Sequence, residues 1–495
     1  MRRNDWLTLC GLLAVALALR LWVAWTTAYL IHPDEAFDYL DQGYRLAFGH
    51  GWTTWTYQYG LRSTWFPAAI GLVMRITAAF NPAPYLGVKA VTGVMSVLSL
   101  TLVVAAWQWG RRAGGWLGGT VTGFLTAVWF ELIYFAPHTL SETIATDALV
   151  LGALLADAPL AQPRPRRLVA AGLLLGLAFY QRVQLTPAIT VIVLWLLVSR
   201  GWRSVRWLLA GAVVPVVALG LLDMIDYGYP FQSIFLYFWA NTKGGVSAYY
   251  GGQGHQPFYY ILSLEASYQA GALAVLLLTA ALGAWQQPCL ALIALAILVP
   301  HSLIALKEYR FFYPALPFLC VLSGIGTTRI IRLFAAPGAR LATVGLCLAA
   351  LVFWSLTSAS LALEGPFKRE WVRSAGAIAL ARQLAVVPDL CGVGVYGMPG
   401  SATAGFSLVG RDVPYYAISW PDRFAIDANS FNAVIAYDSN LPPGGGFTRL
   451  GCWANGYNEA SMNERKPHMC LLVRPGTCAP GAVNDTDTDR PPQFR

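Results

Sequence analysis

The sequence predicts an all-α polytopic membrane protein that carries a small α/β domain at its C-terminal end, and three observations support that prediction. The 495-residue chain is 56% hydrophobic and 12% charged, with a mean hydropathy of +0.51, which is more apolar surface than a water-soluble core can bury. Up to residue 364, apolar stretches of roughly 17 to 25 residues recur, the length that crosses a hydrocarbon core about 30 Å thick. From Gly365 onward the texture changes to Gly, Pro and short β-prone runs such as Val393–Tyr396 and Ala433–Tyr437.

Taken in order, the apolar stretches are 6–28, 84–109, 116–136, 143–159, 168–180, 185–199, 207–222, 270–285, 290–305, 312–331 and 341–362, about eleven crossings in all. Arg2 and Arg3 precede the first, which is long enough to remain as an uncleaved helix despite Arg20 inside it. Alternate loops hold Arg2 and Arg3; Arg111 and Arg112; Arg164, Arg166 and Arg167; Arg200, Arg203 and Arg206; then Arg329, Arg332 and Arg340. Positive residues stay on the cytoplasmic side during insertion, so the N-terminus is expected inside and the C-terminus outside. The net charge of +9 is therefore a topology signal and does not point to nucleic acid.

Residues 1–364 are expected to form the transmembrane catalytic domain, with 29–83 as its first extracytoplasmic loop. Within that loop, 64–80 is apolar but contains Pro67 and Arg75, and it is expected to lie at the interface or re-enter the membrane. Residues 365–480 form the extracytoplasmic α/β domain, and the Pro- and Asp-rich 481–495 a disordered tail. Cys391, Cys452, Cys470 and Cys478 fall in the outer domain, where they permit two disulfides in any of three pairings.

The chemistry is expected in the outward segments. His32-Pro33-Asp34-Glu35 stands just beyond the first crossing, placing two adjacent carboxylates where a general base could act. The same four residues also suit a helix start, since acids favour the positive end of a helix. Other ionisable groups outside the crossings are Arg62, His138, Glu142, Arg182, Asp223, Asp226, His255, Lys307, Glu308 and Arg310. Singly each could be a snorkelling anchor; together they describe a cavity mouth with acidic and cationic groups.

The stretches that carry a family resemblance are HPDEAFDYLDQGYRLAFG from His32, TWTYQYGLRSTWFP ending at Pro67, APHTLSE from Ala136, DMIDYG from Asp223, YYGGQGHQPFYY from Tyr249 and KEYRF from Lys307. In content and order they resemble the GT-C superfamily of membrane glycosyltransferases, and most of all glycosyltransferase family 22, the mannosyltransferases of glycolipid-anchor and N-glycan assembly. The chain departs from that family where Leu306 precedes the Lys-Glu pair in place of His, and in its long outer domain with four cysteines. The resemblance implies a GT-C fold and transfer of a hexose, mannose in the first instance, from a polyprenyl-phosphate donor to a hydroxyl of a glycolipid or glycan, with inversion. Asp34 would be the base, and Glu35 would position the acceptor or the helix. Lys307, Arg310 and Arg182, with Arg62 or His255, would hold the leaving phosphate; His32, His138, Glu142, Asp223, Asp226 and Glu308 would support them. The enzyme would sit in an inner or plasma membrane, or in the endoplasmic reticulum of a eukaryote, with its active site extracytoplasmic.

No cofactor is expected. Asp34, Glu35, Asp223 and Asp226 could supply oxygens to a hard divalent cation, but polyprenyl-phosphate-sugar users generally need none. The competing readings are a ligase or polymerase using a lipid-diphosphate donor, a lipid or sugar transporter, and a non-enzymatic assembly subunit. A transporter commonly shows internal repeats and charges at the bilayer midplane. No repeat is evident here, and Arg20 is the one obvious midplane candidate.

Overall fold

The fold is seen in a computed structural model that describes residues 3–157, 164–251, 257–335, 339–418, 424, 428–444, 446–455 and 468–479. The chain forms two compact units, one of Met1–Val23 with Gly93–Lys368 and one of Ala24–Thr92 with Arg369–Arg495.

The first unit is helical, and each apolar stretch read from the sequence falls mostly on helix where it is described. Among the described residues, seven helical stretches are long and apolar enough to cross a membrane, and shorter apolar helices such as Pro288–Leu303 accompany them. One of the seven, Pro84–Val128, is not straight. Gly115 takes φ 61° and ψ −149°, and a Cβ on Gly110 would lie 2.3 Å from the Gly118 carbonyl oxygen. Only glycine permits that approach, so the chain doubles back between the two arginines of its turn and the returning segment.

The helix ending at Val128 breaks at Trp129, where ψ is 123°, and its last carbonyls lose their helical partners. The fully buried Arg20 supplies replacements, donating to Ala127 O at 3.0 Å, to Thr126 O at 3.4 Å and to Ser99 Oγ at 3.0 Å. Ser358 Oγ donates to Val128 O at 2.7 Å. The charge inside the first apolar stretch is thus spent on backbone carbonyls and the Ser99 hydroxyl.

The arginines that the sequence assigns to one side meet one another's elements. Arg111 pairs with Asp5 at 2.5 Å and Arg112 with Asp157 at 3.4 Å. Arg167 donates to Leu155 O at 3.0 Å, and Arg332 to Gly114 O at 2.7 Å.

The second unit combines the loop 24–92 with a five-stranded sheet. Its strands are β1 (Val393–Tyr396), β2 (Tyr415–Ile418), β3 (Ala433–Tyr437), β4 (Thr448–Ala454) and β5 (His468–Val473), in the order β2-β1-β3-β5-β4. β1 runs parallel to β2 and β3, and every residue of it is buried, as expected of a central parallel strand. β5 is antiparallel to both β3 and β4, and its register sets Cys470 opposite Cys452. That pair forms one disulfide and Cys391–Cys478 the other, which selects one of the three possible pairings.

In the loop, the short apolar helix Trp65–Phe80 buries Phe66, Ile70 and Met74 and leaves Leu72, Ile76 and Phe80 exposed. Asp41 ties the loop to the sheet region by accepting the N–H groups of Phe406 at 2.9 Å and Ser407 at 2.8 Å. Gly405, at φ +74°, makes the seat; a Cβ there would lie 2.4 Å from Asp41 Oδ2. The expected disordered tail, 481–495, lies outside the described residues.

Candidate active site

The His32-Pro33-Asp34-Glu35 stretch opens a short π-helix, Glu35–Leu40, whose residues are all buried. Such wide turns are uncommon and concentrate at functional sites. This one directs two acids, four residues apart, at a single guanidinium: Arg62 Nη2 lies 2.9 Å from Asp34 Oδ2, and Arg62 Nε lies 2.9 Å from Asp38 Oδ2. Arg62 Nη1 also donates to Tyr39 Oη at 2.5 Å. Thr54 and Thr56 donate to Asp38 Oδ1 at 2.8 and 2.7 Å, so both oxygens of Asp38 are occupied.

These contacts give the carboxylates different surroundings. The Asp34 side chain keeps 22% of its surface exposed against 6% for Asp38, and His32 Nδ1 lies 3.1 Å from Asp34 Oδ1. Glu35 is buried and accepts the Ile31 N–H at 3.1 Å, holding the turn that precedes it. Burial pushes the Asp38 carboxyl above its ordinary range, against the pull of Arg62. Burial also opposes the Arg62 charge, but Asp38, Tyr39 and Asp34 outweigh it and raise the guanidinium well above its usual value.

The first unit carries a second charged group. Glu142, at the start of the helix Ser141–Ala156, is fully buried, with Oε1 lying 2.9 Å from Arg182 Nη1 and 3.4 Å from Arg310 Nε. Ser141 Oγ bridges, donating to Glu142 Oε2 at 2.9 Å and accepting from Arg182 Nη1 at 3.1 Å. Arg310 also pairs with Glu308 at 2.5 Å. Both guanidiniums lie against the Phe311 ring, Arg182 at 4.8 Å and Arg310 at 5.3 Å from its centroid. Arg182 Nε and Nη2 are buried without a hydrogen-bond partner. Two unsatisfied donor nitrogens on a buried cation are what an anion would complete.

The remaining candidates are placed differently. Asp223 is fully buried, accepting Tyr180 Oη at 2.7 Å, Ser233 N at 2.9 Å and Ser233 Oγ at 2.5 Å, and so joins the end of Trp202–Tyr227 to the start of Gln232–Thr242. Asp226 is exposed. Lys307 donates to Ile304 O and keeps its head near the surface. The buried His138 lies beside Tyr134, with ring centroids 5.7 Å apart. His255 lies outside the described residues. Among the described residues, no three His, Cys, Asp or Glu side chains gather as a metal site.

The Alg9-like mannosyltransferase family model matches residues 12–368, most of the chain. The chain belongs to that family. A member of the Alg9-like mannosyltransferase family is a glycosyltransferase, and an integral membrane one, as its apolar helices require. GPI mannosyltransferase 3 of Yarrowia lipolytica (strain CLIB 122 / E 150) is 26% identical to it over 414 residues, covering 82% of this chain and 76% of the relative. Among solved structures, ArnT from Cupriavidus metallidurans bound to undecaprenyl phosphate is similar with a TM-score of 0.63 at 14% identity, covering 97% of this chain and all of ArnT. The archaeal oligosaccharyltransferase AglB from Archaeoglobus fulgidus, in complex with an inhibitory peptide and a dolichol-phosphate, is similar with a TM-score of 0.52 at 12% identity, covering 88% and 69% of the two chains. These likenesses show the GT-C fold.

In this family member the structure adds residues that sequence reasoning passed over. Asp38 and Asp41 follow Asp34 within the quoted first motif at spacings of four and seven, which put acids on one helical face and could have marked both. Thr54, Thr56 and Phe311 also lie within quoted motifs but had no spacing to mark them. Their roles come from which elements pack together.

Proposed function

We propose that this glycosyltransferase moves a hexose, mannose in the first instance, from a polyprenyl-phosphate-linked donor to a hydroxyl of a glycolipid or glycan acceptor, on the extracytoplasmic face and with inversion. The observation that carries the reading is Arg182, held by buried Glu142 with two guanidinium nitrogens left unsatisfied. A departing lipid phosphate meets that need. The names of the relatives agree with it, one a GPI mannosyltransferase and one solved with undecaprenyl phosphate. Two disulfides in the second unit support an oxidising, extracytoplasmic compartment.

In a single displacement, Asp34 takes the proton of the acceptor hydroxyl as its oxygen attacks the anomeric carbon. The bond from that carbon to the phosphate oxygen breaks, its electron pair stays on the phosphate, and free polyprenyl phosphate departs. Asp34 is the base because it is the accessible carboxylate; Asp38 fixes Arg62, and Arg62 fixes Asp34. Arg182 and Arg310, with Lys307, stabilise the charge that collects on the leaving group. The cation shared by Asp34 and Asp38 is the Arg62 guanidinium, so transfer is expected to proceed in a chelator.

The test is reconstitution of purified protein with radiolabelled polyprenyl-phosphate mannose or with a polyprenyl-diphosphate sugar, each beside a cellular glycolipid extract. Labelled glycolipid from the monophosphate donor alone supports the proposal. Label only from the diphosphate donor assigns a ligase or polymerase instead, and no label from either sinks the donor assignment.

A further inference from the structure

Three interruptions of regular helix in the first unit converge on one carboxylate. The helix ending at Val128 breaks at Trp129, and Glu131 lies in the next short helix, Phe130–Phe135. The helix Tyr259–Ala284 is interrupted at Gln269, whose φ of 59° is a costly conformation for a residue with a side chain, and Tyr268 directly precedes it. The third interruption is the extended Glu308, after which Tyr309–Ala315 forms a 3-10 turn. Glu131 is fully buried, and each of its oxygens accepts from one tyrosine, Oε2 from Tyr268 and Oε1 from Tyr309. Aromatic rings enclose the group: Phe130 packs on Tyr268 at 5.5 Å, and Phe367 packs on Phe130 at 4.8 Å.

A carboxylate at 0% exposure among aromatic rings is costly unless both oxygens are satisfied, and it persists only where the surrounding structure requires it. What it holds here is Tyr309, next in sequence to Arg310, whose Nε lies 3.4 Å from Glu142 Oε1. We infer that Glu131 is a positioning residue for the donor-binding segment: through Tyr309 it fixes the turn that presents Arg310, and through Tyr268 it anchors that turn to a broken helix. This rests on the donor reading above only for the identity of the ligand. Positioning of the 3-10 turn stands independently of it.

Two measurements on full-length protein in detergent decide it, with Glu131→Gln, the milder Tyr309→Phe, and Tyr268→Phe. Glu131→Gln leaves one acceptor oxygen for two tyrosine donors. The first measurement is amide hydrogen exchange over 304–315, which reads local opening directly. Exchange there should quicken by about tenfold or more in Glu131→Gln and Tyr309→Phe, beyond any change in peptides of the helix Arg340–Leu363. Unchanged local exchange, or a uniform rise across the protein, overturns the inference and leaves Glu131 a general stabilising group. The second is the Kd for undecaprenyl phosphate, measured where all variants are folded. It should rise about fivefold or more in Glu131→Gln and Tyr309→Phe, and less in Tyr268→Phe, which leaves the Tyr309 bond in place. Equal Kd in all proteins, with only the melting temperature lowered, also overturns it. If the wild-type protein itself does not bind polyprenyl phosphate, the donor reading fails, and the exchange result alone decides whether Glu131 positions the turn.

Discussion

The Nε of Arg62 lies 2.9 Å from Oδ2 of Asp38, a carboxylate whose other oxygen is already taken by two threonine hydroxyls. Arg62 is therefore a fixed cation, and Asp34, 2.9 Å from its Nη2, is the carboxylate it holds in place. Asp34→Asn should remove transfer by a factor of about 10² to 10⁴ while leaving donor binding near normal. Asp38→Asn should keep residual transfer, lowering kcat by about tenfold together with thermal stability. Initial rates with labelled donor in proteoliposomes check both. Near-normal transfer by Asp34→Asn would remove it from the base position.

Arg182 should behave as a binding residue. A charge-assisted contact to phosphate contributes about 1.5 to 3 kcal/mol, so Arg182→Ala should weaken polyprenyl-phosphate binding by about ten- to a hundredfold. Arg182→Lys should recover little, because the donors of an ammonium radiate from one nitrogen and cannot span the separate positions that Nη1, Nε and Nη2 of the planar guanidinium occupy. Equilibrium binding of undecaprenyl phosphate in detergent reads the change; wild-type affinity in both variants moves the clamp elsewhere.

Asp41 should give the second unit a pH-dependent stability. Burial pushes its carboxyl up to about 7 from 3.8, against the N–H groups of Phe406 and Ser407. A folded value above the unfolded one means its contribution is complete below the unfolded value of 3.8 and is lost as the pH rises through about 7. Thermal unfolding in detergent should therefore come earlier at pH 8 than at pH 5, and Asp41→Asn should flatten that difference. An unchanged slope in the variant would assign the dependence to other groups.

Arg20 should matter to folding and not to turnover. Replacing it with Leu strands the carbonyls of Thr126 and Ala127 at the helix break, a loss of about 1 to 3 kcal/mol for each buried acceptor left unsatisfied. Reduced melting temperature with wild-type kcat in the folded fraction is the expected result. A selective loss of kcat would return Arg20 to a functional role.

The Cys452–Cys470 bridge joins directly opposed residues of β4 and β5 and closes a short loop, for which about 2 to 4 kcal/mol is typical. Cys452→Ser with Cys470→Ser should lower the melting temperature. In intact cells, a membrane-impermeant maleimide should label these cysteines in the wild-type protein only after reduction. Labelling that requires permeabilised cells would place the second unit on the opposite side of the membrane.

The helical character of the first unit and its likeness to a known family were legible because they are written along the chain. Apolar length decides whether a segment can cross a bilayer, and motif order survives without coordinates. Adjacent carboxylates at Asp34 and Glu35 were also visible, and the resemblance gave them separate roles, but the groups that hold each of them were not visible. The π-helix turns Asp34 and Asp38 onto Arg62 while Glu35 turns back to the Ile31 N–H, and a periodicity read from sequence assumes regular turns. Glu142 and Asp223 looked equivalent as acids beside apolar stretches. Packing gave one to two arginines and the other to a tyrosine and a serine. The cysteine pairing waited on the register of β5 against β4, because backbone hydrogen bonds between strands, and no property of the cysteines themselves, decide which residues stand opposite. Residue types and their order along the chain determined what chemistry was available; the breaks and registers of the folded chain decided which side chains meet, because hydrogen-bond partners and desolvation depend on neighbours that are distant in sequence.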